Sequence, residues 1–201
     1  MNNIKKRNSS LIADLLSIAL FAFFVVIGTL FINNFIFRSF SVEGPSMETT
    51  MYTGDRLIVN RIPVTMSQLD NEEYAPERYD VVVFSNPQPV PSGSPEEYIV
   101  KRVIGLPGER VVVRDGEITV FNDENPDGFN PDLGRDVESV GSPASGDADT
   151  VVPKSHIFVV GDHRQDNYSY DSRNGLGTIP LYEVIGPVAV RFWPLSKFAL
   201  Y

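Results

Sequence analysis

Ser46 ends the run Val42-Glu43-Gly44-Pro45-Ser46, ahead of Met47. Gly and Pro just before the serine predict a tight turn that presents its hydroxyl. Such a hydroxyl becomes a nucleophile at neutral pH only beside a base. The candidate bases are His156, His163 and a lysine, and with no Cys in the chain a thiol nucleophile and a Cys-ligated zinc are both excluded. Lys101 is the unusual lysine. It lies in Tyr98-Ile99-Val100-Lys101-Arg102-Val103-Ile104, and strand alternation puts it on one face with Ile99 and Val103. Burial disfavours an ammonium, and a lysine lowered toward neutrality can act as a general base. The bland reading is a stem snorkelling along an apolar surface. His163 directly follows Asp162; strand neighbours point to opposite faces, so the pair does not make the oriented half of a Ser-His-Asp triad. His156 opens a strand-like run and reads as structural. Asp162, Asp171 and Arg173 bracket the polar segment 161–177, where a bidentate Arg–Asp pair would fix the loop.

These residues need a scaffold, and it begins with an apolar helix. Leu15 to Ile32 is an eighteen-residue stretch without a charge. As a helix it spans roughly 27 Å, close to the ~30 Å hydrocarbon core of a bilayer. The expected organisation is a cytoplasmic N-terminus over 1–10, a transmembrane anchor over 11–37 and an extracytoplasmic β domain over 38–201. Lys5, Lys6 and Arg7 precede the span and only Arg38 closely follows it, which places the N-terminus in the cytoplasm. A cleaved secretory signal is the alternative, with Ser39-Phe40-Ser41 as a weak site. The length of the apolar run and the charge of Arg38 argue against it.

From Phe40 on, short β-branched runs alternate with turn residues: Arg56–Val59, Asp80–Phe84, Tyr98–Ile104, Arg110–Arg114, Ile118–Phe121, His156–Val160 and Val184–Trp193. Many short strands with turn signals predict a mostly β sandwich or barrel. Asp115-Gly116 predicts a primed hairpin turn. The stretch from about 122 to 150 is acidic and poor in large apolar residues, and reads as a solvated, mobile insertion; it lacks EF-hand spacing for calcium. The net charge of −9 argues against nucleic acid as a partner, and two His against a histidine metal site.

Taken together, these residues resemble the type I signal peptidases, in particular the Gram-positive branch. The blocks are the anchor, Gly44-Pro45-Ser46-Met47, Gly54-Asp55-Arg56-Leu57-Ile58-Val59-Asn60, Tyr79-Asp80-Val81-Val82-Val83-Phe84, Val100-Lys101-Arg102-Val103-Ile104-Gly105-Leu106-Pro107-Gly108-Glu109, Gly161-Asp162 and Ser169-Tyr170-Asp171-Ser172-Arg173, in the family's order. The resemblance implies a mostly antiparallel, β-barrel-like catalytic core behind one N-terminal transmembrane helix. It implies a membrane-bound serine endopeptidase that cleaves signal peptides from exported preproteins without a cofactor or metal. Ser46 would be the nucleophile, Lys101 the general base and Ser169 the hydroxyl orienting the lysine. The Ser46 backbone N–H would serve as oxyanion hole, because Gly44 stands where some members have a serine. Val42, Gly44, Met47, Ile99 and Val100 would bind substrate, an extended peptide adding as a strand along 40–44 and 98–101 with small pockets for Ala-x-Ala. The lipid bilayer is an implied partner and the secretion translocon a candidate one. Three departures stand out: Thr49 replaces the usual Pro, His163 replaces the usual Asn after Gly-Asp, and the segment before Ser169 is about two residues longer than usual. Two other classes compete: a non-catalytic, membrane-anchored β binding module, and a Ser-Lys autoprotease of the SOS-repressor type. The latter carries a helix-turn-helix where this chain has an apolar span.

Overall fold

A computed structural model describes residues 2–90, 93, 97–133, 143–165 and 168–201. The chain opens with α1 (Asn2–Phe35), whose segment Ile12–Phe35 has a mean hydropathy of 2.8 and no buried residue. Only Ile36 separates it from β1 (Phe37–Ser41). Then follow β2 (Arg56–Asn60), α2 (Ile62–Leu69), β3 (Val81–Ser85), β4 (Tyr98–Gly105), β5 (Arg110–Arg114), β6 (Glu117–Phe121), β7 (Ala148–Val151), β8 (His156–Val160), β9 (Ile179–Pro180), β10 (Val184–Trp193) and β11 (Ala199–Leu200). Every named strand pair is antiparallel. The larger sheet runs β1-β2-β10-β3-β4-β8-β9, with β11 on β10; the smaller runs β6-β5-β7.

Alternation along β3 and β8 explains how one sheet serves several cores. Val82 and Phe84 join one buried cluster with Ile157 and Val159, while Val81 and Val83 join another with Met47, Leu57 and Val188. Phe158 and Val160 pack on Val111, Val113, Ile118 and Val120 of the small sheet. Strands buried on both faces must read as unbroken apolar runs, and VVVF and IFVV do. β10 pairs with β3 through Val184–Pro187 and with β2 through Val188–Trp193. The crossing is at Gly186, where any Cβ would come within 2.3 Å of the Asn60 carbonyl oxygen. The β5–β6 turn has φ of 52° at Asp115 and 84° at Gly116, as a primed turn requires.

The acidic stretch departs from the expected mobile excursion. Residues 134–142 lie outside the described residues, but what flanks them is packed. Phe129 bridges to Val120, Ala144 is buried, and Ala148–Val151 adds to β5 as β7. Asp132 accepts two bonds from the guanidinium of Arg164, at 2.8 and 3.2 Å. Arg164 is only 1% exposed, so the stretch supplies the counter-charge of a buried cation. A loop of turn residues conceals such a partner because the pairing is set by tertiary position. Asp132→Ala should therefore destabilise the protein by about 2 kcal/mol or more, leaving a charge buried alone. That is a fall of roughly 4–8 °C in melting midpoint for a chain of this size. Asp127→Ala, an exposed neighbour, should melt as wild type; equal melts for both variants would show that Arg164 does not need the acidic stretch.

Candidate active site

The segment that carries Ser46 is tied down on both sides. Val42 N–H donates to Asp55 O and Gly54 N–H to Val42 O, both at 2.9 Å. Gly44 then takes φ of 85°, a left-handed conformation that a side chain would strain, and Pro45 follows. Met47 and Met51 are fully buried and plug the turn into the core beneath. The Ser46 hydroxyl is left half-buried and facing β4.

Lys101 meets it there. Nζ lies 2.7 Å from Ser46 Oγ and donates to the Val100 carbonyl at 2.9 Å. Lys101 is 3% exposed and has no carboxylate within ion-pair distance among the described residues. Burial lowers its pKa from the ordinary 10.5 to about 8, against the upward pull of Asp171 and Asp162 and with the help of Arg173. That pull is weakened because each carboxylate is bound to an arginine. Arg102, on the opposite face of β4, holds Asp162 through Nε at 2.7 Å and Nη2 at 2.6 Å. Arg173 holds Asp171 in the same two-pronged way, at 3.0 and 2.8 Å. Burial pushes the Asp171 carboxyl up, but the bonds from Arg173, Gly161 and Ser169 outweigh it and hold it below the usual carboxylate range. Asp162, Asp171 and Arg173 thus do not form a single cluster around one arginine. Asp162 belongs to Arg102, a residue the sequence did not single out.

Gly161 fits between the parts. A Cβ on it would come within 2.2 Å of Ser169 Oγ and 2.3 Å of Ser46 O, so only glycine lets this loop reach the Ser46 turn. The next contact is His163 N–H donating to Ser46 O at 3.1 Å. The His163 ring instead bonds the Pro45 carbonyl at 3.2 Å through Nδ1 and stacks on Tyr168. His156 lies opposite Pro180 at the β8–β9 pairing. Ser169 is fully buried, and its hydroxyl donates to Asp171 Oδ2 at 2.6 Å rather than bonding the lysine amine. The Ser46 N–H has no acceptor among the described residues.

A groove of about 570 Å³ runs past the Ser46–Lys101 contact. Val42, Gly44, Ile99 and Val100 line it, Leu57 and Val83 add apolar surface, and Phe40, Tyr98, Tyr168 and Tyr170 contribute aromatic walls. Met47 is the correction: it lies in the core below and is not part of the lining. One edge of the groove is backbone. β3 pairs with Tyr98–Arg102, but β8 pairs β4 only from Arg102 to Gly105, leaving 98–101 without β8 on that side. An extended peptide can hydrogen-bond to such an edge and lie across the serine.

The sequence model of a family described as signal peptidase, peptidase S26, matches residues 14–193. The chain is 32% identical over 173 residues to Signal peptidase I T of Bacillus subtilis (strain 168), covering 86% of this chain and 82% of that one. It is 30% identical over 198 residues to Signal peptidase I P of Bacillus subtilis subsp. natto, covering 96% and 95%. Identity is 33% over 173 residues to Signal peptidase I of Bacillus caldolyticus, covering 82% and 84%.

The buried amine has a measurable consequence for stability. A folded-state pKa near 8 against 10.5 means that the folded protein holds its proton less well than the unfolded chain. The cost at pH 7 is about 3 kcal/mol, and stability recovers as pH rises from about 8 to 10.5. Lys101→Met, which keeps the apolar stem, should therefore melt above wild type at pH 7, with the gap closing toward pH 10.5. A variant that melts below wild type at pH 7 would show that the amine is not held at a cost.

Proposed function

The chain belongs to the signal peptidase family, peptidase S26, and from that premise we propose that Ser46 and Lys101 carry out its hydrolysis. The protein is a membrane-anchored serine endopeptidase that removes signal peptides from exported preproteins. The observation that carries the residue assignment is the 2.7 Å contact between the buried Lys101 amine and the Ser46 hydroxyl beside the groove.

In this reading a preprotein lies extended along 98–101, with its scissile carbonyl over Ser46. With the amine neutral, the Ser46 hydroxyl donates to Nζ. As Oγ bonds to the carbonyl carbon, its proton passes to Lys101. The developing oxyanion is met by the Ser46 N–H, a donor that costs no reorganisation. Collapse breaks the C–N bond, and the ammonium returns the proton to the leaving amine, freeing the mature N-terminus. The signal peptide remains as an ester on Ser46. Water then attacks the ester, giving its proton to Lys101, and the carboxylic acid leaves as Oγ is reprotonated. Ser169 donates to Asp171, which also accepts from Gly161 N–H, and so helps to hold the loop that packs against the Ser46 turn. Small side chains of the substrate would face Val42, Gly44, Ile99 and Val100.

The topology proposed is a single crossing by Ile12–Phe35, with the N-terminus in the cytoplasm and the β domain outside, supported by Lys5, Lys6 and Arg7 before the span. The domain boundaries proposed are those of the expected organisation, with the catalytic domain from 38 to the end. Close approach to the translocon follows as a proposal, since preproteins emerge there.

Ser46→Ala and Lys101→Met should each lower cleavage of a preprotein with an Ala-x-Ala site by about 10³-fold, followed by mass measurement of the products. His163→Ala and His156→Ala should keep most activity. If Lys101→Met retained activity and His163→Ala lost it, a histidine would be the base. The wild-type rate should rise with pH and level off above about 8, where Lys101 has lost its proton. A rate flat across pH 6 to 9 would remove the lysine from proton transfer. For the topology, protease added to wall-stripped cells should digest the β domain; complete protection would reverse the orientation.

A further inference from the structure

α2 buries one side and leaves the other uncovered. Val64 turns into the domain, whereas Ile62, Met66 and Leu69 are 44%, 54% and 72% exposed. Their i, i+4, i+7 spacing makes a single apolar stripe along the helix. Scattered apolar residues on a surface are ordinary, but this stripe has a fixed address. Arg61 N–H donates to Ile36 O at 2.8 Å, and the Thr65 hydroxyl donates to Phe35 O at 2.9 Å. The first turn of α2 is therefore hydrogen-bonded to the end of the segment Ile12–Phe35, and it starts at the level where α1 ends.

The charges beside the stripe suit the same address. Arg38 pairs across from Val59, and Arg61 sits opposite Ile36, so the two guanidiniums are diagonal neighbours on one face. Neither has a carboxylate partner among the described residues. Arg38 lies on the rings of Phe40 and Tyr98, and Arg61 Nε is buried with no acceptor. Cations without counter-charges beside an apolar helix face are the composition of a segment lying at a lipid headgroup layer. Asp70, Glu72 and Glu73 follow Leu69, all exposed.

We infer that α2 is an interfacial foot, with Ile62, Met66 and Leu69 immersed among the lipids of the leaflet where α1 ends, so that the catalytic domain is held to the bilayer at two points. The inference rests on the reading that α1 crosses the bilayer, and the experiment separates the two. Because the chain has no Cys, Phe24→Cys, Met66→Cys and Lys154→Cys variants of the full-length protein can each carry one environment-sensitive fluorophore. They are reconstituted in phosphatidylethanolamine and phosphatidylglycerol vesicles that contain spin-labelled lipids. The Met66 label should be blue-shifted and quenched by a spin label near the headgroup, the Phe24 label by one deep in the acyl chain, and the Lys154 label by neither. A Met66 label that behaves like the Lys154 label while Phe24 is quenched overturns the foot and leaves the span standing. An unquenched Phe24 label overturns both. Ile62→Ser, Met66→Ser and Leu69→Ser combined should slow cleavage of a membrane-inserted preprotein several-fold and leave a short soluble peptide substrate unaffected. Equal loss on both substrates would assign α2 to the fold and overturn the foot.

Discussion

A lysine amine sits inside the protein with no carboxylate partner among the described residues, and the neighbouring structure is arranged around that fact. The other deeply buried cations, Arg102, Arg164 and Arg173, each grip an acid. Among the described residues Lys101 meets a hydroxyl and a carbonyl instead. The difference comes from strand alternation at two adjacent residues. β4 sends Lys101 to the Ser46 side and Arg102 to the other, where Asp162 fixes it. The clamp holds the register of β4 against the loop after β8, and with it the position of the amine. It also ties up a carboxylate that would otherwise hold the lysine charged. Asp171 is tied up in the same way by Arg173. A slip of one residue in β4 would exchange the two cations and put a guanidinium, which stays protonated, against the serine.

Much of this was legible in the residues because local pattern and tertiary demand agree. Seven strand-like runs in the sequence correspond to β2, β3, β4, β5, β6, β8 and β10, since β-branched runs bounded by turn residues have few other ways to be buried. The burial of Lys101 follows from apolar neighbours at both i±2 positions. What was hidden depends on distant partners. Arg102 looks like any surface arginine until β8 brings Asp162 beside it. Asp132 looks like loop solvation until Arg164 arrives. β9 and β11 are two residues each, and β1 (FRSFS) alternates exposed and half-buried residues, which gives little apolar signal. Met47, which the resemblance assigns to substrate binding, is directed inward by the turn that Glu48 N–H closes on Pro45 O. The aromatic walls at Tyr168 and Tyr170 come from a loop whose position no local pattern specifies.

The two sheets divide the work. The large sheet carries Ser46's tether, Lys101 and the open edge of β4. The small sheet contributes Val111, Val113, Ile118 and Val120, which cover Phe158 and Val160 from behind. β8 is thus packed on both faces just before Gly161, the residue whose missing side chain lets the loop touch both Ser169 and the Ser46 turn. Rigidity behind the loop matters because a displacement there would reach the amine through Asp162 and Asp171.

The joint between α1 and β1 is a single residue, and the carbonyls of Phe35 and Ile36 accept bonds from Thr65 of α2 and from Arg61 just before it. There is no slack to act as a swivel. The apolar segment of 24 residues is roughly 36 Å long as a helix, more than the ~30 Å hydrocarbon core, so in the proposed single crossing it would incline in an average bilayer. A thicker bilayer raises it toward the normal, and a thinner one lays it over. With a stiff joint, that inclination is transmitted to the sheet as a lever transmits the angle of its arm, and the mouth of the groove swings with it. Lipid thickness thereby becomes an input to the orientation at which a peptide is presented, set by mechanics and not by any contact with the peptide itself.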